Sequence, residues 1–126
     1  RDFVIVDADM NDLIRPALYE AHHGIRPVAE PAVGANLQAV DVVGPICETG
    51  DTFTRGRPLP PLTAGDLLVF DSTGAYSAVM ASTYNARPHV PEVLVRDDQF
   101  SIVRARQRIE DMLRAESFAE WHSPTG

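Results

Sequence analysis

The apolar residues of this chain come in short β-branched and aromatic runs, each cut off within a few positions by glycine, proline or a charged pair. That pattern supports strands and turns and leaves little room for long helices. Phe3-Val4-Ile5-Val6 reads as a buried strand. Ile25 to Val28 is a weak strand interrupted by Pro27, which places it at a sheet edge. Leu37-Gln38-Ala39-Val40-Asp41-Val42-Val43 is a stronger strand, and Asp51 to Arg57 is its extended return. Pro58-Leu59-Pro60-Pro61 reads as a surface connection, because proline cannot donate to a central ladder. Gly65-Asp66 signals a turn before Leu67-Leu68-Val69-Phe70, a further buried strand. Val93-Leu94-Val95 and Phe100-Ser101-Ile102-Val103 form a hairpin turning on Asp97-Asp98.

Two helices fit among these runs. Arg15 to Ala21 is one, with Pro16 suited to its first turn and Gly24 as its stop. Ile109, Met112 and Leu113 share one face of a short closing helix. Ser77 to Met80 reads equally as a helical turn or a strand start. The tail from Ser117 is expected at the surface, anchored by Trp121. The fold class expected is mainly β, a sandwich or barrel with short helices.

A length of 126 residues suits one domain with a real core. The net charge of -7 argues against nucleic acid as the main partner. No apolar run approaches the ~18 residues that a membrane span needs, and no signal peptide is visible. A single cysteine excludes an internal disulfide framework and fits a reducing, cytoplasmic location. His22 and His23 are adjacent and point apart on a helix. His89 and His122 are isolated, so no metal site is expected. No glycine-rich phosphate loop is present.

The block Gly44-Pro45-Ile46-Cys47-Glu48-Thr49-Gly50-Asp51 sets the cysteine beside a carboxylate in a glycine-flanked turn. A thiol and a carboxylate presented together from a rigid turn suit a polar, cationic substrate. The block resembles the Cys-Glu-Ser-Gly-Asp signature of the diaminopimelate decarboxylases, which depend on pyridoxal 5'-phosphate (PLP), with Thr49 in place of serine. Met10-Asn11-Asp12-Leu13-Ile14-Arg15-Pro16-Ala17-Leu18-Tyr19 fits the same family. So does Gly74-Ala75-Tyr76 followed by Tyr84-Asn85-Ala86-Arg87-Pro88. The three motifs stand in the family's order, and the resemblance runs from Phe3 to about Leu113.

The resemblance implies a Greek-key-like β domain packed on a PLP-binding (β/α) barrel, in a homodimer whose active sites cross the interface. It implies conversion of meso-diaminopimelate to L-lysine and carbon dioxide in lysine biosynthesis. The far end of that substrate carries an ammonium and a second carboxylate. Arginine offers a planar fork for a carboxylate, and a carboxylate side chain pairs an ammonium. Arg15 matches the family arginine that holds the distal carboxylate, and Tyr19 the tyrosine that hydrogen-bonds the same end. Their i, i+4 spacing places both on one helical face; the alternative is a surface arginine over a half-buried tyrosine. Glu48 matches the glutamate that pairs the distal ammonium. Cys47 matches the cysteine near the reacting carbon, a proton donor. Tyr76 matches the tyrosine that reaches the cofactor phosphate and the rim of the site, with Gly74 allowing close backbone approach. Tyr84, Asn85 and Arg87 are expected to hold structure or the interface.

All 11 of the lysine and arginine residues are arginine, none lysine. A PLP decarboxylase holds its cofactor on a lysine amine, so the chain is expected to be a C-terminal β domain without its barrel, inactive alone. It begins at Arg1, inside a strand. Two positions depart from the family pattern. Asp9 stands where a small residue, often glycine, precedes Met-Asn, and a positive φ there would strain it. Ser77 stands where glycine is common. The readings that compete are a related PLP decarboxylase acting on arginine, ornithine or carboxynorspermidine, and a non-catalytic regulatory module.

Overall fold

The computed structural model describes residues 1–122 and divides into two compact units, Arg1–Ala81 and Ser82 onward. The first unit carries β1 (Asp2–Ile5), α1 (Arg15–Tyr19), β2 (Ile25–Pro27), β3 (Gln38–Val43), β4 (Thr52–Leu59) and β5 (Leu68–Phe70), and ends in a 3-10 turn at Ala78–Met80. The second carries a 3-10 turn at Tyr84–Ala86, then β6 (Glu92–Arg96), β7 (Gln99–Arg104) and α2 (Ile109–Leu113). The fold is mainly β with short helices, as the pattern of runs and breakers implies. Its sheets stay open within the described residues.

β3 is the centre of the first unit. It pairs in parallel with β1 and antiparallel with β4, giving the order β1-β3-β4. β2 and β5 make a separate antiparallel pair. Val40, Val42, Phe53 and Leu59 from β3 and β4 meet Leu13 and Ile25 in one buried cluster, with Val4, Leu68 and Phe70 packed against it. Val42 is wholly inaccessible, and the Phe53 and Phe70 rings meet edge-on at 4.7 Å. Such contacts add to plain area burial.

The β3–β4 ladder is irregular for a definable reason. Between the pairs Val40–Arg57 and Val42–Thr54, β3 advances two residues while β4 advances three. The extra residue makes a bulge, and Gly56 occupies it with φ +61°, a conformation glycine adopts without a Cβ clash. Asp41, buried on β3, accepts the Gly56 N–H at 2.8 Å and pairs with the Arg1 guanidinium. The Gly56 bond, with Arg1 and Arg55 nearby, outweighs burial and holds the Asp41 carboxyl below its ordinary value of 3.8.

Several local expectations are corrected. β1 is a strand but not a buried one: Phe3 and Ile5 face outward. Leu67 precedes β5 and is exposed, and β5 itself is only half-buried. Pro58 and Leu59 belong to β4 rather than to a connection, and Leu59 lies in the core. Pro58 is tolerated because β4 is an edge strand. α1 stops at Glu20, left-handed at φ 54°, four residues before Gly24. Ser77 to Met80 resolves into a helical turn.

The second unit is a hairpin and a helix. β6 and β7 close from Arg96–Gln99 through Asp97-Asp98, as expected, with Asp97 left-handed at φ 54°. Gln107 donates its backbone N–H to His89 O at 3.1 Å, and His89 N–H returns a bond to Gln107 Oε1 at 3.0 Å. Val93, Leu94, Phe100 and Ile102 are all exposed. Trp121, expected as an anchor, is exposed as well. No helix among the described residues is long and apolar enough to cross a membrane.

The lowered Asp41 value has a definite sign. Its contribution to stability is fully present above the ordinary carboxylate value and is lost as pH falls through the lowered folded value. Asn at 41 keeps an acceptor for Gly56 but carries no charge. Thermal unfolding followed from about pH 7 down to about pH 3 should show a shallower acid decline for Asp41→Asn than for the parent. Equal slopes would mean that Asp41 does not titrate with folding.

Candidate functional site

The eight residues between β3 and β4 form a loop built around one buried carboxylate. Gly44 donates its N–H to Asp51 O at 3.0 Å, closing the loop at its base. The Asp51 side chain, 2% exposed, accepts the Ile46 N–H at 2.7 Å and the Met10 N–H at 2.8 Å. Gly44 is required for this arrangement, because a Cβ there would fall on the Asp51 carboxylate. Ile46 is buried and pins the loop from inside, so Cys47, Glu48 and Thr49 are carried outside. Cys47 is a free, exposed thiol.

Glu48 is braced by its own turn. Its Oε1 accepts the Gly50 N–H at 3.0 Å and the Thr49 hydroxyl at 3.2 Å. Threonine in place of serine thus retains the hydroxyl that steadies the glutamate. A carboxylate has about four lone-pair directions, so two such bonds leave capacity for a cationic ligand.

The Met10 bond draws the first motif to this loop. Asp9, buried at 2% exposure, accepts the Asn11 N–H at 2.9 Å, and its carbonyl accepts the Asp12 N–H at 3.0 Å. Asp9 is absent from the residues with positive φ, so the feared strain does not arise and its carboxylate organises the turn. The chain then enters α1, with Pro16 in the first turn, Arg15 half-buried and Tyr19 exposed. α1 packs against β4, and an open groove of about 380 Å³ between them is lined by Pro16, Ala17, His23, Thr49, Gly50 and Phe53, among others. Arg15, Tyr19, Cys47 and Glu48 stand outside its lining. A larger apolar recess of about 450 Å³, walled by Val4, Val6, Leu62, Leu68 and Phe70, contains none of the motif residues.

Tyr76 belongs to the third motif. It is exposed, and its backbone is left-handed at φ 62°. For a residue with a Cβ this costs on the order of 1 kcal/mol. Gly74 does not provide the close approach expected of it, since a Cβ there would meet nothing within 4 Å. The contact comes instead from Ser77, whose hydroxyl donates to Asp12 O at 2.6 Å across 65 residues of sequence.

The fold therefore joins the backbones of the three motifs: loop 44–51 to Met10 through Asp51, and the Tyr76 loop to Asp12 through Ser77. It does not join the five side chains. Among the described residues, no hydrogen bond or ion pair links Arg15, Tyr19, Cys47, Glu48 and Tyr76 to one another. Tyr84, Asn85 and Arg87 lie in the second unit. Residue-by-residue reading missed Asp51, Ser77 and Gly44 as the parts that do the joining. An aspartate closing a glycine-flanked turn was the available signal. Among the described residues no group of three or more His, Cys, Asp or Glu could hold a metal ion. The chain has no lysine and so offers no side-chain amine that could hold PLP as a Schiff base.

Two glycines separate the roles of space and sequence. Gly44→Ala should destabilise by about 2 kcal/mol, since the Asp51 carboxylate must move and leave buried N–H groups unpaired. Gly74→Ala should stay within about 0.5 kcal/mol of the parent. Denaturant unfolding of both variants measures the difference; equal losses would contradict the packing described for Gly44.

Known proteins resemble this chain over most of its length. The family described as pyridoxal-dependent decarboxylase, C-terminal sheet domain, matches residues 1–74. The diaminopimelate decarboxylase of Zymomonas mobilis is 49% identical over 119 residues, covering 94% of this chain and 28% of that protein. A crystal structure of the Helicobacter pylori diaminopimelate decarboxylase complexed with L-lysine superposes with a TM-score of 0.81 at 44% identity, over 89% of this chain and 27% of that one. The M. jannaschii enzyme, in co-complex with L-lysine, gives 0.86 at 34% identity, over 93% and 26% respectively. The chain thus spans somewhat more than a quarter of the length of these relatives. The family match covers more than half of its residues, and on that ground the chain belongs to the pyridoxal-dependent decarboxylases, matching their C-terminal sheet domain.

Proposed function

We propose that this chain is the substrate-reading C-terminal domain of a homodimeric, PLP-dependent diaminopimelate decarboxylase, which releases carbon dioxide from meso-2,6-diaminopimelate to give L-lysine. The observation that carries this reading is the conjunction of two facts. The relatives described above bear that name, and the chain presents, on segments stiffened by Asp51 and Ser77, the guanidinium and the braced carboxylate that the distal end of that substrate calls for.

Each residue has a task set by its chemistry. The Arg15 guanidinium offers two parallel N–H donors to the distal carboxylate, and Tyr19, one turn on, offers a hydroxyl to the same end. The Glu48 carboxylate, steadied by Gly50 N–H and the Thr49 hydroxyl, accepts the distal ammonium. Arginine, ornithine and other substrates without a distal carboxylate leave Arg15 unanswered, which is the basis for selectivity. Tyr76 contacts the cofactor phosphate at the rim of the site. PLP, when bound, supplies an electron sink for the carbanion left by decarboxylation. The Cys47 thiol then delivers a proton to that carbon.

A barrel carrying the PLP lysine is the remaining part of the enzyme. In the dimer, Cys47 and Glu48 enter the partner's site, so each substrate meets Glu48 of one chain and Arg15 and Tyr19 of the other, and the loop must be rigid before assembly. The Asp51 and Gly44 contacts give it that rigidity. The lone cysteine and the reaction fit a cytoplasmic location.

The test is an assay of the polypeptide that carries this domain together with its barrel, supplied with PLP and meso-diaminopimelate, with arginine and ornithine run alongside. Lysine should form from diaminopimelate alone. Glu48→Ala should lower kcat/KM by at least about 100-fold, since the distal ammonium then lacks its carboxylate partner. Turnover of arginine or ornithine would contradict the distal-end clamp. Inactivity toward all three would favour a regulatory module.

A further inference from the structure

Ser77 stands at the N-cap of the 3-10 turn Ala78–Met80, a position where serine ordinarily binds the N–H groups of its own helix. Here it makes no such cap. Its hydroxyl is spent on Asp12 O, at 2.6 Å, 65 residues away. Two segments are thereby fastened. One is the strained loop in which Ser72 and Tyr76 are both left-handed. The other is the turn that leads through buried Leu13 to Arg15.

We propose that Ser77 is a positioning residue for substrate binding: its hydroxyl fixes the Tyr76 loop to the approach of α1, so that Tyr76, Arg15 and Tyr19 meet one ligand in a set spacing. The inference rests on the function proposed above. It differs from the assignment of any contact residue, because the Ser77 hydroxyl is bonded to the backbone of the other motif rather than offered to a ligand. Glycine at this position would leave the backbone possible and the tie absent, because it has no hydroxyl to donate. The Ser77 φ of -88° needs no glycine.

The bond predicts a particular pattern. Its loss should leave the chemistry of the reacting carbon alone and loosen the far end of the site. The experiment compares the parent enzyme, barrel included, with Ser77→Ala and Ser77→Thr. In Ser77→Ala, KM for meso-diaminopimelate should rise about 3- to 10-fold while kcat changes less than about twofold. Ser77→Thr, which keeps the hydroxyl, should return KM to within about twofold of the parent. Amide hydrogen exchange across Ser72–Ser77, measured without substrate, should speed up in the alanine variant and not in the threonine one. An unchanged KM in Ser77→Ala, equal losses in the two variants, or unaltered exchange would each overturn the proposal. A parent inert toward diaminopimelate would overturn the functional reading instead, and the exchange comparison would then decide the Ser77 tie by itself.

Discussion

The arrangement of this surface depends on a buried carboxylate. Asp51 lies at the end of the β3–β4 loop and accepts two backbone N–H groups, one from its own loop and one from Met10, 41 residues away. A carboxylate with so little access to water is tolerated only when its oxygens are hydrogen-bonded. The two bonds meet that demand and at the same time determine where Cys47 and Glu48 stand relative to the first motif. Gly44 leaves the space the carboxylate needs.

The same device recurs in the first unit. Asp9 accepts Asn11 N–H, Asp41 accepts Gly56 N–H, and Asp51 accepts Ile46 and Met10 N–H groups. All three are nearly inaccessible. Each sits where the backbone departs from a regular ladder: a turn, a bulge and a loop. An acidic chain thus uses buried aspartates to satisfy irregular backbone, and keeps its apolar core small, around Val42 and Phe53. The reward is a set of short, stiff loops at one group of motifs. Catalytic geometry depends on such stiffness, because a misplacement of about 1 Å weakens both binding and chemistry.

Local patterns were legible wherever local physics decides. β3, the Asp97-Asp98 hairpin, the Pro16 start of α1 and the closing helix all follow from propensity, turn chemistry and periodicity. Burial was not legible in the same way. Phe3, Ile5, Leu94 and Phe100 are apolar, yet exposed, because a run of β-branched residues reports a strand and says nothing of what covers it. Leu59 was hidden among prolines, whose meaning changed once β4 proved to be an edge. The motif residues Arg15, Tyr19, Cys47, Glu48 and Tyr76 could be picked out from linear pattern. The contacts that join their segments could not, since the bonds from Met10 to Asp51 and from Ser77 to Asp12 span 41 and 65 residues. Asp9 shows the reverse error: a substitution that looked costly is the residue that builds its turn.

The claim on which the account turns is that Asp51 holds loop 44–51 and the first motif together. Two amides report it directly. The N–H groups of Met10 and Ile46 have the Asp51 carboxylate as acceptor and no backbone carbonyl within the described residues. Residue-resolved hydrogen exchange should find both protected in the parent, to a degree comparable with the β3–β4 ladder, and both released in Asp51→Ala. Exchange of either amide at the rate of an open loop in the parent, or persistence of its protection after the substitution, would contradict the account.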